Sequence, residues 1–295
     1  MLKLLAFWSM VDLITQRVRE KNTVMRITKS KIARIFIVPI GLTLASSLLV
    51  STSFAFDPKA KSAEVNEKSG PLDLFRFGFK AYKKGEKKQA IEAYRYAADK
   101  GHRGARWAMA NMYAFGDGVV EDDYEAYKNY QQIARQGVEP GSEDVGYFVN
   151  AIMSLADYYQ RGIPNSPVNV NFKAARQLYF QAASAFGVPE AQYRLGRMIL
   201  DGVGGGDNKR QAKKWLNRAR AGGHPAASAV YGNLLFEEGQ AVRGLALITT
   251  AHERAAPNDK GWILSLQERA FALAEEADRR TALAVADDML KSGLN

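Results

Sequence analysis

Cysteine is absent from the 295-residue chain, which excludes a disulfide scaffold, a cysteine nucleophile and a thiolate metal site. The redox compartment stays open, because an oxidising space permits disulfides without demanding them. Histidine is nearly as scarce, with three residues, and none falls in a metal-binding spacing. A phosphate-binding loop is missing too. The run Gly202-Val203-Gly204-Gly205-Gly206 lacks the lysine and the preceding strand such a loop needs, and it reads as a flexible turn between helices. No Gly-x-Ser-x-Gly elbow occurs. Glu121-Asp122-Asp123 sits at an expected helix start, where the helix dipole alone accounts for it. A catalytic site needs convergent groups in a pocket, so the expectation is no enzyme activity, no metal and no cofactor.

The net charge of +10 invites a nucleic-acid reading, but its location argues against one. Residues 1–55 carry Lys3, Arg17, Arg19, Lys21, Arg26, Lys29, Lys31 and Arg34 against Asp12 and Glu20, a net +6, which leaves +4 for the other 240 residues. Most of the basicity lies in a segment expected to be removed. From Met25, a basic stretch (Arg26, Lys29, Lys31, Arg34) leads into the uncharged apolar run 35–50 and then Ser53-Phe54-Ala55. That is the pattern of a secretory signal peptide cleaved after Ala55. A membrane anchor is the alternative, but the run is shorter than the roughly 20 residues a spanning helix needs. Residues 1–24 precede this signal, so we expect translation to start at Met25. Residues 56–70 are polar and aperiodic and read as a flexible leader. The expected product is an exported protein that does not span the membrane.

The body of the chain, 71–295, is organised around a phrase written three times: Ala105, Met109, Ala110, Tyr113, Gly116; then Ala151, Leu155, Ala156, Tyr159, Gly162; then Ala191, Leu195, Gly196, Ile199, Gly202. Each opening is followed by a second helical phrase with an aromatic and small residues (Tyr130 with Ala134, Tyr179 with Ala182 and Ala183, Trp215 with Ala219), closing at Gly137, Gly187 and Gly222. A period of roughly 20–50 residues marks a stacked repeat protein. The spacing predicts repeats at about 72–104, 105–150, 151–190, 191–226 and 227–252, closed by capping helices within 260–292. Leu72, Phe75, Phe79 and Tyr82 share one face of the first helix by their three- and four-residue steps. Asp122 or Asp123 is placed to cap a helix, and Asn208 with Gln211 forms a candidate capping box. The anchors are read as architecture: alanine and glycine let helices approach closely, and the large residue at offset 8 fills the neighbouring hollow.

The pattern A-x-x-x-L-G-x-x-Y-x-x-G, the turn Gly116-Asp117-Gly118-Val119 (less faithfully Asp201-Gly202-Val203-Gly204) and the aromatic with Ala-Ala before glycine resemble the Sel1-like repeat. That repeat is a slightly longer relative of the TPR unit of roughly 34 residues, and the resemblance covers Phe75 to about Leu247. It implies an all-α, right-handed α-solenoid with terminal capping helices. The segments Phe56-Asp57-Pro58-Lys59, Gly70-Pro71-Leu72-Asp73-Leu74-Phe75, Glu92-Ala93-Tyr94-Arg95-Tyr96-Ala97-Ala98 and Gly137-Val138-Glu139-Pro140-Gly141-Ser142-Glu143-Asp144 are similar to the exported Sel1-repeat regulators of exopolysaccharide synthesis. This resemblance implies a periplasmic negative regulator that binds the sensor domain of the ExoS histidine kinase and restrains signalling to ChvI. A scaffold or chaperone for envelope and cell-wall enzymes is the alternative.

Partner-binding candidates follow from the solenoid geometry. Offsets 2 and 6 from the anchors flank the buried set and name Trp107, Asn111, Asp157, Tyr193 and Arg197. Aromatics and arginine are enriched at binding hot spots, although Trp107 and Tyr193 would serve equally to complete the core. The segment 138–147 is an insertion between repeats and adds Pro140, Glu143, Asp144 and Tyr147; insertions of this kind map to one face, often the binding face, or are simply tolerated. His102 and His224 each follow a repeat-ending glycine. Histidine titrates between about pH 5 and 8, so the pair is a candidate pH sensor, with a plain turn role as the other reading.

Overall fold

A computed structural model describes residues 68–293, in which twelve α-helices and no strands occur. They are α1 (Pro71–Lys83), α2 (Lys87–Asp99), α3 (Arg103–Phe115), α4 (Asp123–Arg135), α5 (Val145–Arg161), α6 (Phe172–Ala185), α7 (Pro189–Leu200), α8 (Lys209–Ala221), α9 (Pro225–Glu237), α10 (Ala241–Arg254), α11 (Pro257–Leu273) and α12 (Glu276–Ser292). The extension 1–24, the signal segment 25–55 with Ala55, and all but the end of the leader 56–70 lie outside the described residues. Within them, no helix is long and apolar enough to cross a membrane.

The helices start where the chain supplies caps. Asp122 accepts from the amides of Tyr124 and Glu125 at 2.9 Å, Asn171 from Ala174 at 3.0 Å and Asn208 from Gln211 at 2.8 Å. These oxygen acceptors satisfy amides that the first turn leaves without partners. Proline occupies the first turn of α1, α7, α9 and α11, where its missing N–H costs nothing and its φ is preset. At the end of α8 the left-handed residue is Gly223 (φ 84°), one position after Gly222, which stays in the right-handed half of the map.

Consecutive helices pair and the pairs stack, odd-numbered helix first. The anchors Ala105, Ala151, Ala191 and Ala227 are fully buried. At offset 5 the small residue is decisive: a Cβ on Gly196 would lie 2.9 Å from Leu216 Cγ, and one on Gly244 of α10 would lie 2.6 Å from the carbonyl oxygen of Gly232 in α9. The α9–α10 contact is therefore backbone against backbone. Elsewhere an aromatic from the second helix fills the pair: Tyr94, Tyr130, Tyr179 and Trp215 are all buried. The core is a series of linked clusters, one from α1 to the start of the α5–α6 loop, one from α5 to α8, and smaller ones joining α8 to α12. Each pair touches only its neighbours, as in a solenoid.

Two expectations shift. On α1 the buried residues are Leu74, Gly78 and Ala81, while Leu72 is 48% exposed; no described helix stacks before α1, so its apolar stripe is covered on one side only. The insertion is shorter than its sequence suggests, because α5 begins at Val145 and runs for 17 residues, taking Tyr147 into its first turn.

Candidate functional site

Beyond the contacts between consecutive helices, α3 meets α5 and α9 meets α11 among the first helices, and α10 meets α12 among the second. By the geometry of helix-pair solenoids, the odd-numbered layer is taken as the inner one, the surface on which such stacks present binding residues.

That surface does not include every residue proposed from offsets. Trp107 is 2% exposed, and its Nε1 donates to Asn150 Oδ1 of α5 at 2.6 Å. Asn111 is also buried; its amide donates to the Trp107 carbonyl at 2.8 Å, and its Oδ1 accepts from the Tyr130 hydroxyl at 3.1 Å. Both belong to the core. The early start of α5 explains this, since its first turns lie over the side of α3 that would otherwise face the groove.

Asp157, Tyr193 and Arg197 do reach the inner surface. Asp157 accepts a short hydrogen bond from the Tyr179 hydroxyl, which in turn accepts from Gln160 Nε2 at 2.7 Å. Although Asp157 opens to water, the surrounding protein desolvates its carboxyl and pushes its pKa up, against the opposing pull of Arg194 and the Tyr179 hydroxyl. From Asp157 a chain of charges crosses α7. Arg194 Nε donates to Glu190 Oε1 at 2.6 Å, and Glu190 Oε2 lies 2.7 Å from His224 Nε2 at the start of α9. Burial alone would raise the Glu190 pKa; the bond to His224 and the charge of Arg194 outweigh it and hold the carboxyl at about 2. The His224 ring stacks on Tyr193 with centroids 4.6 Å apart, and Arg197 pairs with Asp201 at 3.2 Å. Bonded links therefore tie α5 to α6 at Asp157 and α7 to α9 at Glu190, and the charge of Arg194 acts on Asp157 across the gap between them. Arg194 and Glu190 were missed because sequence offsets named positions 2 and 6 only; charge inside an anchor phrase was the available signal.

The insertion divides in two. Pro140 and Glu143 project to solvent. Asp144 and Tyr147 are tied down: Arg103 Nη1 pairs with Asp144 at 3.1 Å, and the Tyr147 ring lies 5.5 Å from Trp107 and close over Gly104. His102 and His224 turn out to be helix N-caps. Their Nδ1 atoms accept from the amides of Ala105 at 3.1 Å and Ala227 at 3.2 Å, and His102 stacks on Phe75 at 4.3 Å. Burial lowers the His102 pKa, with Asp144 pulling the other way. No group of three or more His, Asp or Glu among the described residues is placed to hold a metal ion. The arrangement suits recognition: fixed charges and half-buried rings on the odd-numbered helices of the stack, and two exposed residues in the loop before α5.

Comparison with known proteins agrees with this geometry. The Sel1 repeat profile matches residues 104–138, 149–185 and 189–224. An exopolysaccharide production negative regulator of Rhizobium leguminosarum bv. viciae is 60% identical over 83% of this chain and 91% of its own. A protein of the same description from Rhizobium meliloti (strain 1021) is 56% identical over 90% of this chain and 97% of its own. Among solved structures, a protective antigen of uropathogenic Escherichia coli with an SLR fold superposes with a TM-score of 0.59 at 22% identity, covering 76% of this chain and 46% of that one.

Proposed function

Since the chain belongs to the Sel1-repeat exopolysaccharide production negative regulators, we propose that it is an exported protein-binding regulator that grips the periplasmic domain of a membrane sensor histidine kinase. Cleavage after Ala55 would release it to the periplasm. In this reading the kinase is ExoS, and binding restrains ExoS/ChvI signalling and hence exopolysaccharide synthesis, with no catalysis by the solenoid.

The observation that carries the reading is the line Asp157–Tyr179, Arg194–Glu190–His224 on the inner face. Its charges are held by one another, so a partner meets groups already in place and loses little entropy ordering them. Tyr193 and Arg197 beside it supply the aromatic and cationic contacts that dominate protein interfaces. Glu143 and Pro140, exposed in the loop before α5, are further candidate contacts.

The test is calorimetric titration of residues 56–295 with the isolated kinase sensor domain. The double change Asp157→Asn with Arg194→Gln removes both charges while leaving hydrogen-bonding groups for Tyr179 and Glu190. It is expected to weaken binding at least about tenfold with the helical signal unchanged. Full affinity in that variant would remove the inner face from the interface. Absence of binding by the unaltered protein, with cell-wall enzymes recovered instead in affinity capture, would replace regulation by a scaffold role.

A further inference from the structure

On the opposite side of the stack lies a surface the regulatory reading does not use. Helix α8 carries Lys209, Arg210, Lys213, Lys214, Arg218 and Arg220 and no acidic residue. The cations that look toward the next repeat are neutralised, Lys209 by Glu237 at 3.1 Å and Lys213 by Glu238. Arg210, Lys214 and Arg218 recur at four-residue steps, which places them together on the outer side. Neither they nor Lys173 and Arg176 of the neighbouring α6 form an ion pair with any described residue. Arg176 instead donates to the Gly206 carbonyl at 3.2 Å, in the loop that leads into α8.

Apolar groups stand among these cations. Phe172 is 44% exposed and Phe180 51%, and they are the aromatic members of the exposed large hydrophobics among the described residues; Val170 adjoins them. Phe180 meets the Trp215 ring edge-on at 6.0 Å, and the Arg218 guanidinium lies 4.7 Å over that same ring. Contacts therefore run unbroken from Phe180 through Trp215 to Arg218, with Arg176 joining α6 to α8 at the other end.

We propose that this outer face of α6 and α8 seats the protein on an anionic lipid surface. Unpaired Lys and Arg with protruding phenylalanines suit the interface, where cations meet phosphates and rings enter the headgroup boundary. An acidic peptide fits less well, because peptide recognition by helical proteins uses a groove with pockets, and these side chains stand out from the second-helix layer. The inner face remains open when the outer one is seated. The inference does not depend on which protein binds the inner face.

The test is co-flotation of residues 56–295, which exclude the apolar segment 35–50, with vesicles of phosphatidylcholine alone or mixed with phosphatidylglycerol. Binding is expected only with phosphatidylglycerol present and should fall as salt rises. The triple change Arg210→Gln, Lys214→Gln, Arg218→Gln is expected to weaken partition about 100-fold, at about fivefold per cation. The same number of changes at Lys80, Lys84 and Lys100 on the first pair should leave it within about twofold. Phe180→Ser should reduce binding several-fold at every salt concentration, because it removes the salt-insensitive part. Equal losses in the two triple variants would mean that net charge alone drives adsorption, and the proposal falls. It falls equally if the unaltered protein ignores phosphatidylglycerol, or if it binds polyglutamate through this face and not vesicles.

Discussion

Tyr94, Tyr130 and Tyr179 occupy the same place in three successive second helices, and their rings are almost wholly buried. Their hydroxyls differ. Tyr130 donates to Asn111 and Tyr179 to Asp157, but the Tyr94 hydroxyl is enclosed with no partner among the described residues. Burial pushes all three pKa values up, so each stays protonated and able to donate. An enclosed hydroxyl without a partner keeps its desolvation cost, whereas removing a satisfied one strands its acceptor. Tyr130→Phe is therefore expected to cost about 1–2 kcal/mol, and Tyr94→Phe to be neutral or stabilising by up to about 1 kcal/mol, as urea midpoints of the two variants would report. A larger loss for Tyr94→Phe would show that its hydroxyl has a partner. At this scale the sequence showed which aromatics fill the stack. It could not show that Asn111 and Asp157 meet the hydroxyls, because that depends on side-chain reach across a helix pair.

Helix pairs were legible because alanine and glycine repeat at fixed offsets and glycines close each phrase. The helix starts were legible where oxygen acceptors mark them, as at Asp122 and Asn208. Those at His102 and His224 were not, because an imidazole nitrogen is an unusual cap. The consequence is a pH dependence whose sign the geometry settles. The cap requires an unprotonated Nδ1, and burial near Phe75 lowers the His102 pKa, while Asp144, itself paired with Arg103, favours the proton. The folded state thus binds the proton less readily than the unfolded chain, whose histidine titrates near pH 6.5. The contribution is complete above that pH and is lost progressively as pH falls below it and through the lower folded-state value. Thermal midpoints should decline from about pH 7 to 5, and His102→Asn, which keeps an acceptor at the cap, should flatten the decline. An unchanged slope in that variant would move the pH dependence elsewhere. The start of α5 was concealed for another reason: Gly146 interrupts what reads as loop, and only packing over Gly104 and Trp107 makes the first turn helical.

Across the whole molecule, each pair is stabilised by its neighbours, so the ends decide solubility. Helices α11 and α12 cover Leu245 and Ile248, both 0% exposed, through Ala270, Ala282 and Ala286. Deleting 257–293 should leave the earlier pairs helical by circular dichroism yet make the protein associate on size exclusion, because that apolar surface is uncovered. A monomeric truncated chain would show that α10 tolerates exposure. The solenoid was legible from its period, but the network crossing α5, α7 and α9 was not, since it joins residues from different repeats. The joints along the stack also differ in kind. Between α3 and α5 the link includes the part-exposed pair Arg103–Asp144 and the Tyr147–Trp107 contact, and such a pair contributes at most about 1 kcal/mol. Between α9 and α10 the Gly232 and Gly244 backbones touch, with no side chain between them to rearrange. Pulled from its two ends, the stack would open between neighbouring pairs before α9 parted from α10, so the glycine-locked pair behaves as a rigid link within the spring.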